Sequence, residues 1–218
     1  MTTQSAVERH VWRGYGIAAK NLGVACPWFR PNGIGNPVAP ANALGTIPAA
    51  FDTSPTFKFN TPSKYGVPTF YGLFDPTGTV AGDYLVEPRM GPFFIASIEP
   101  LHPPLMVNCN RVLTVTRAGQ QPPGPAYYGG ASAGVPVPIA TVWPAALVLT
   151  IRGEAGETKL PGDMKQGMFM VYLPFTLPLD PLPSDIITDD EEVQNRYIVS
   201  AAESTNLGWR LHVRMVST

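Results

Sequence analysis

The chain has 218 residues and a formal net charge of −1; 44% of its residues are hydrophobic, only 14% are charged, and it holds 25 prolines and 21 glycines. That length suits one large or two small domains, and a near-zero charge excludes a bulk nucleic-acid binder, which carries a basic excess. The proline and glycine content argues against long helices and for short strands joined by many turns, while the shortage of solvating charge favours burial against partner subunits.

Residues 4–22 read as one amphipathic helix. Ala6, Val7, His10, Val11, Gly14, Ile17, Ala18 and Leu22 recur at helical spacing, with Arg9, Arg13 and Lys20 largely off that face. Gly23 stands where a helix stop belongs, and Gly14 and Gly16 weaken the middle. In residues 1–60 five basic residues (Arg9, Arg13, Lys20, Arg30, Lys58) stand against two acidic ones (Glu8, Asp52). Arg9, Arg13 and Lys20 are therefore candidate contacts for an acidic partner protein. Residues 1–23 form the first unit. Residues 24–81 are punctuated by Pro27, Pro31, Pro37, Pro40, Pro48, Pro55, Pro62, Pro68 and Pro76. They read as a long proline-rich extended arm, anchored by aromatic residues such as Phe51, Phe70 and Phe74, on its own barrel or on a neighbouring subunit.

Two later stretches share one layout. Residues 82–118 hold Gly82-Asp83-Tyr84-Leu85-Val86, a polar turn, Pro92-Phe93-Phe94-Ile95-Ala96-Ser97, then Leu105-Met106-Val107 and an alternating strand over 111–117. The second copy holds Ser184-Asp185-Ile186-Ile187-Thr188, a polar turn, Arg196-Tyr197-Ile198-Val199-Ser200-Ala201, then an alternating strand from Trp209. Each is a small β-meander opened by an aspartate. Asp83 and Asp185 are read as structural anchors, because aspartate before a strand commonly holds the turn backbone. Gly208 allows a tight turn and Trp209 then buries a large apolar area in a core or interface. Residues 119–136 read as a Pro/Gly-rich linker and 137–218 as a C-terminal β domain, with strands over 145–152 and 168–173. The acidic run Asp189, Asp190, Glu191 and Glu192 reads as a solvated hairpin turn, or as the wall of a channel.

The fold class that follows is mainly β: one or two small β-barrel or sandwich units, an N-terminal helix and the extended arm. His10, His102 and His212 are scattered, and no Cys/His cluster suits zinc. Phosphate-loop, dinucleotide and nucleophile-elbow patterns are missing. The reading is therefore non-enzymatic, with no catalytic, cofactor or metal residues. Cys26 and Cys109 read as buried thiols. The sequence shows neither a secretory h-region nor an apolar run of membrane length, which predicts folding in a cytoplasm and no membrane partner.

Several short blocks in order carry a resemblance: Gly14-Tyr15-Gly16-Ile17-Ala18-Ala19-Lys20, Phe29-Arg30-Pro31, Pro144-Ala145-Ala146-Leu147, Leu160-Pro161-Gly162-Asp163, Asp185-Ile186-Ile187-Thr188-Asp189-Asp190, Arg196-Tyr197-Ile198-Val199-Ser200-Ala201-Ala202-Glu203 and Leu207-Gly208-Trp209-Arg210-Leu211. With these the chain resembles tailed-bacteriophage virion proteins of the head–tail joining type (neck, head-closure or adaptor). The acidic Glu191-Glu192 turn departs from the glycine hairpin more typical there. The resemblance implies a homo-oligomeric ring of about six or twelve subunits and contact with portal or adaptor and tail proteins. It also implies a place in the virion after assembly in the host bacterial cytoplasm, and only passing contact with DNA, for which a lining without basic excess is suited. The alternatives are a minor tail, tail-terminator or capsid-associated virion protein, and a non-catalytic β-sandwich binding module.

Overall fold

The computed structural model describes residues 3–57, 67–119, 134–150 and 168–216. A helix, α1 (Thr3–Leu22), precedes twelve strands: β1 (Val24–Phe29), β2 (Ala43–Asp52), β3 (Thr69–Leu73), β4 (Tyr84–Glu87), β5 (Gly91–Ser97), β6 (Leu105–Asn108), β7 (Arg111–Gly119), β8 (Gly134–Thr150), β9 (Met168–Leu173), β10 (Ile186–Thr188), β11 (Arg196–Thr205) and β12 (Gly208–Val216). They close into two antiparallel barrels. The first runs β1-β2-β3-β6-β5-β4 and shuts β4 on β1; the second runs β7-β8-β9-β12-β11-β10 and shuts β10 on β7. Closure removes the sheet edges that would otherwise invite unwanted pairing.

The two barrels are one barrel written twice. Strand order is the same, and the register matches except at the far end of the first strand pair, where Trp28 faces Gly45 but its equivalent Val115 faces Ala140, one residue out of step. Cys26 faces Ile47 across β1 and β2 as Leu113 faces Trp143 across β7 and β8. Ala50 pairs with Leu73 as Ala146 pairs with Tyr172. Phe70 pairs with Met106 as Phe169 pairs with Val213. A register shift falls between Ile95 and Ser97 in the first barrel and between Val199 and Ala201 in the second, at matching positions. Even an aromatic contact repeats: Phe70 meets Phe93 edge-on at 5.5 Å, and Phe169 meets Tyr197 at 5.4 Å.

Two boundaries differ from the sequence reading. Residues 24–81 are not an extended arm; they supply β1, β2 and β3, half of the first barrel. Prolines hid this, yet Pro27 and Pro48 sit within paired strands, opposite Thr46 and Ala25. Proline fits a ladder wherever its missing N–H leaves no bond short. The stretch 119–136 does not separate the two β units. Gly119 pairs with Gly134, so it lies within the β7–β8 connection of the second barrel, and residues 120–133 fall outside those described. The barrels meet instead at Cys109 and Asn110, directly between β6 and β7.

Period-two alternation fills both interiors with side chains. Cys26, Ala49, Phe74, Leu85, Phe93, Ile95 and Met106 pack the first, and Trp143, Leu113, Ile139, Val171, Ile187, Tyr197 and Val213 belong to the second. The alternate residues of β4, β5 and β6, namely Tyr84, Phe94, Ala96 and Val107, point outward and pack against Ala146 and Tyr172 of the other barrel. Polar bonds lock that contact. The Tyr84 hydroxyl donates to Pro144 O at 2.9 Å, the Trp143 indole to Ile34 O at 3.0 Å, and the Thr141 N–H to Ile34 O at 2.8 Å. Burial drives the Tyr84 phenol and the Cys109 thiol well above their ordinary pKa values, so both stay neutral.

Trp143 is fully buried, whereas Trp209 only half-buries itself against the same core. Trp143→Ala is therefore expected to cost about 3–5 kcal/mol in a urea titration. Trp209→Ala is expected to cost roughly half as much.

Candidate functional site

Each barrel is pinned by a buried aspartate. Strand β1 places Cys26, Trp28 and Arg30 at a spacing of two, and β7 does the same with Leu113, Val115 and Arg117. Arg30 and Arg117 thus emerge where the inward row leaves the barrel. Arg30 Nε and Nη2 donate to the two oxygens of Asp83, both at 2.8 Å, and Nη2 also reaches Gly78 O at 2.9 Å. Arg117 repeats this on Asp185 at 2.9 Å for both bonds, and on Asp180 O at 2.7 Å. The backbone N–H of Val80, three residues before Asp83, donates to its carboxylate, and that of Leu182 does the same for Asp185. The Trp28 indole adds one more bond to Asp83. The aspartates are 0% and 1% exposed, so each buried charge depends on this full set of partners. In turn, the Asp83 carboxylate raises the pKa of Arg30. Both expected anchors are thus in place, and their arginine partners were the part missed.

The chain enters each clamp in a left-handed conformation, at Gly82 (φ 92°) and at Ser184 (φ 76°). Glycine takes that shape freely and serine does not. A Cβ on Gly82 would also come within 2.3 Å of Thr176 in the other barrel.

The acidic run divides. Asp189 is buried at 4% exposure, whereas Asp190, Glu191 and Glu192 are exposed. Asp189 therefore does not belong to a solvated or channel-facing surface. Its carboxylate accepts from the Asn195 N–H at 2.9 Å, the Asn195 amide at 3.0 Å and the Tyr197 hydroxyl at 3.1 Å. Glu87 is its counterpart in the first barrel, also buried, accepting from the N–H groups of Arg89 and Met90. Both acids stitch a hairpin. Burial pushes the Asp189 pKa up, but the bonds from Asn195, Tyr197 and Glu191 outweigh burial and hold it below the ordinary value. Glu191 pairs with Arg111 across to β7.

Gly208 takes φ 127°, and a Cβ there would lie 2.4 Å from Leu173 O. Only glycine lets the β11–β12 turn approach β9 so closely. Trp209 follows, lining an inter-barrel crevice of about 260 Å³ with Phe94, Leu105, Val107, Tyr172 and Leu207.

Helix α1 packs on β2 and β3, with Gly16 and Ala19 on the side that also encloses the Trp12 indole nitrogen. Ala19 is fully buried, and a Cβ on Gly16 would press on Asp75 at 2.9 Å. Of the apolar residues that keep the helical period, Ala6, Val11 and Ala18 are half-buried, but the larger ones stay out: Val7 is 48%, Ile17 56% and Leu22 71% exposed. Arg9, Arg13 and Lys20 are exposed on the flank of the exposed face. Among the described residues no three His, Cys, Asp or Glu side chains come together as metal donors.

No family model, curated protein or solved structure matches this chain.

Three outcomes follow. The arginine partners are partly exposed and keep water, so the loss comes from the donors left without an acceptor, the Val80 and Leu182 N–H groups and the Trp28 indole; Asp83→Ala and Asp185→Ala are each expected to cost about 1–3 kcal/mol in chemical denaturation. Ser184→Gly relieves left-handed strain and is expected to add up to about 1 kcal/mol. Asp189 has a depressed folded pKa, so its contribution is present above the unfolded value and fades as pH falls through the folded one. The stability gap between the native chain and Asp189→Asn should therefore be largest near neutral pH and shrink in acid, while Glu192→Gln should change little at any pH.

Proposed function

We propose that the chain is a structural virion protein of a tailed bacteriophage, forming a ring at the head–tail junction around the DNA channel. The observation that carries this reading is the exposed face of α1, with Val7 and Ile17 uncovered, on a double barrel. Both barrel interiors are filled by side chains, which moves function to the outer surface, and an apolar face rimmed by charge marks an interaction site. Rings need two different patches that fit head to tail and close. A scaffold with unlike ends, a helix-clad barrel and a second barrel with an acidic hairpin, suits that requirement. The ring would hold about six or twelve copies, would touch portal or adaptor and tail proteins, and would require no cofactor or catalytic residue.

The test is imaging of the encoding phage's particles with this chain labelled, together with the mass of the purified protein alone and with portal. Density for a closed ring between head and tail is expected. Label on the tail tube or capsid shell would move the chain to a minor tail or capsid-associated role. Isolated monomers or two-fold dimers in cross-linked virions would sink the ring.

A second reading, a non-catalytic β binding module, draws on the apolar crevice beside Trp209. A lipid or aromatic ligand retained by the purified protein would favour it.

A further inference from the structure

The exposed face of α1, with Val7 and Ile17 as its apolar members, has the layout of a docking seam. Val7, His10, Gly14, Ile17 and Asn21 follow one another at alternating steps of three and four, all exposed. That spacing draws one straight stripe along a helix. At its centre Gly14 leaves a notch, since a Cβ placed there would meet nothing within 4 Å. Arg13 and Lys20 stand on one flank, two turns apart and exposed. The helix is held to its own barrel by the opposite face, so the seam contributes nothing to the fold of its own copy.

The chain also carries a feature that fits this seam. The β10–β11 hairpin exposes Asp190, Glu191 and Glu192, and beside them Val193 is 79% exposed, a branched apolar side chain standing among acids. A protruding valine matches a glycine notch in shape, and acids beside it match Arg13 and Lys20 in charge. Within one copy neither covers the other, because Val7, Ile17 and Val193 all remain exposed. The hairpin belongs to the second barrel and the helix lies on the first.

We propose that the occupant of the α1 seam is the β10–β11 hairpin of a second copy of this chain, with Val193 seated at Gly14 and the acids Asp190 and Glu192 beside Arg13 and Lys20. The contact is head to tail: each copy offers a helix to one neighbour and a hairpin to the other. It rests on the ring reading above and names the interface that such a ring would use. Two helices pairing across a two-fold axis are disfavoured by comparison, since each would bring Arg13 and Lys20 against the same charges.

The test places one thiol on each side. Gly14→Cys and Val193→Cys are introduced together in the full chain, which is concentrated and oxidised with diamide; the native Cys26 and Cys109 are both buried. A ladder extending past dimers on a non-reducing gel is expected. The two single variants should give none. Arg13→Glu with Lys20→Glu should weaken self-association by about tenfold or more. Adding Asp190→Lys and Glu192→Lys to that same chain should restore it. Cross-linked dimers from Gly14→Cys alone would show helix–helix pairing and overturn the proposal. So would the absence of any ladder, or an association indifferent to the charge reversals. A ring located at the neck without this cross-link would leave the ring reading standing and remove only this interface. A ladder from a chain found elsewhere would do the reverse.

Discussion

Each barrel depends on one buried carboxylate. A six-stranded sheet closes only if its fourth strand returns beside its first, and the connection into that strand joins the ladder at Gly82 and Ser184, whose N–H groups donate to Ile95 and Val199. Asp83 and Asp185 secure that strand by gathering donors from two places: the first strand (Arg30 with Trp28 in one barrel, Arg117 in the other) and the approaching loop (Val80, Leu182). Their own carbonyls then accept from Ile95 and Val199 on the next strand. One residue thus ties first strand, loop, fourth strand and fifth strand. The bidentate geometry of arginine on carboxylate makes the tie directional as well as strong.

Much of this was visible in the sequence, for reasons that can be named. The paired aspartates were legible from the shared layout of the two stretches, and the last strands because alternation over β12 is clean and no proline interrupts β11 or β12. The helix was legible from its period, and its observed span differs from residues 4–22 by a single residue. Half of the first barrel was not legible, because prolines in 24–81 read as breakers when several of them are merely tolerated. A better signal was present: Pro48-Ala49-Ala50 and Pro144-Ala145-Ala146 hold the same register position in β2 and β8, one barrel apart. The arginines at the ends of β1 and β7 were a second such signal. Asp189 was misread because its burial comes from Tyr197 and Asn195 folding over it, which charge counting along the chain does not reveal. The face of α1 turned toward the barrel was also unreadable from the apolar period, since it runs through Trp12, Gly16 and Ala19, of which only Ala19 is a small apolar residue and none belongs to that period.

The repeated barrels have diverged according to what each must cover. The outward residues of β4, β5 and β6 are apolar because the second barrel lies on them; the matching positions in the second barrel include Ser200 and Arg214, which face solvent. The outer faces of β2–β3 and β8–β9 are equivalent too. One is covered by α1 and the other by the first barrel. The helix therefore takes, on the first barrel, the place that a further barrel would take.

Closely matching register within one chain creates a hazard during folding. The first three strands of either barrel could close with the last three of the other, a form of internal domain swapping to which tandem repeats are prone. Side-chain volume guards against it. Ile47 and Trp143 occupy the same core position, as do Cys26 and Leu113, and Phe74 and Leu173. A hybrid barrel would be overfilled at one of these sites and hollow at another, so each half finds a complementary interior only in its own partner. The unequal cores thus act as an identity check during folding.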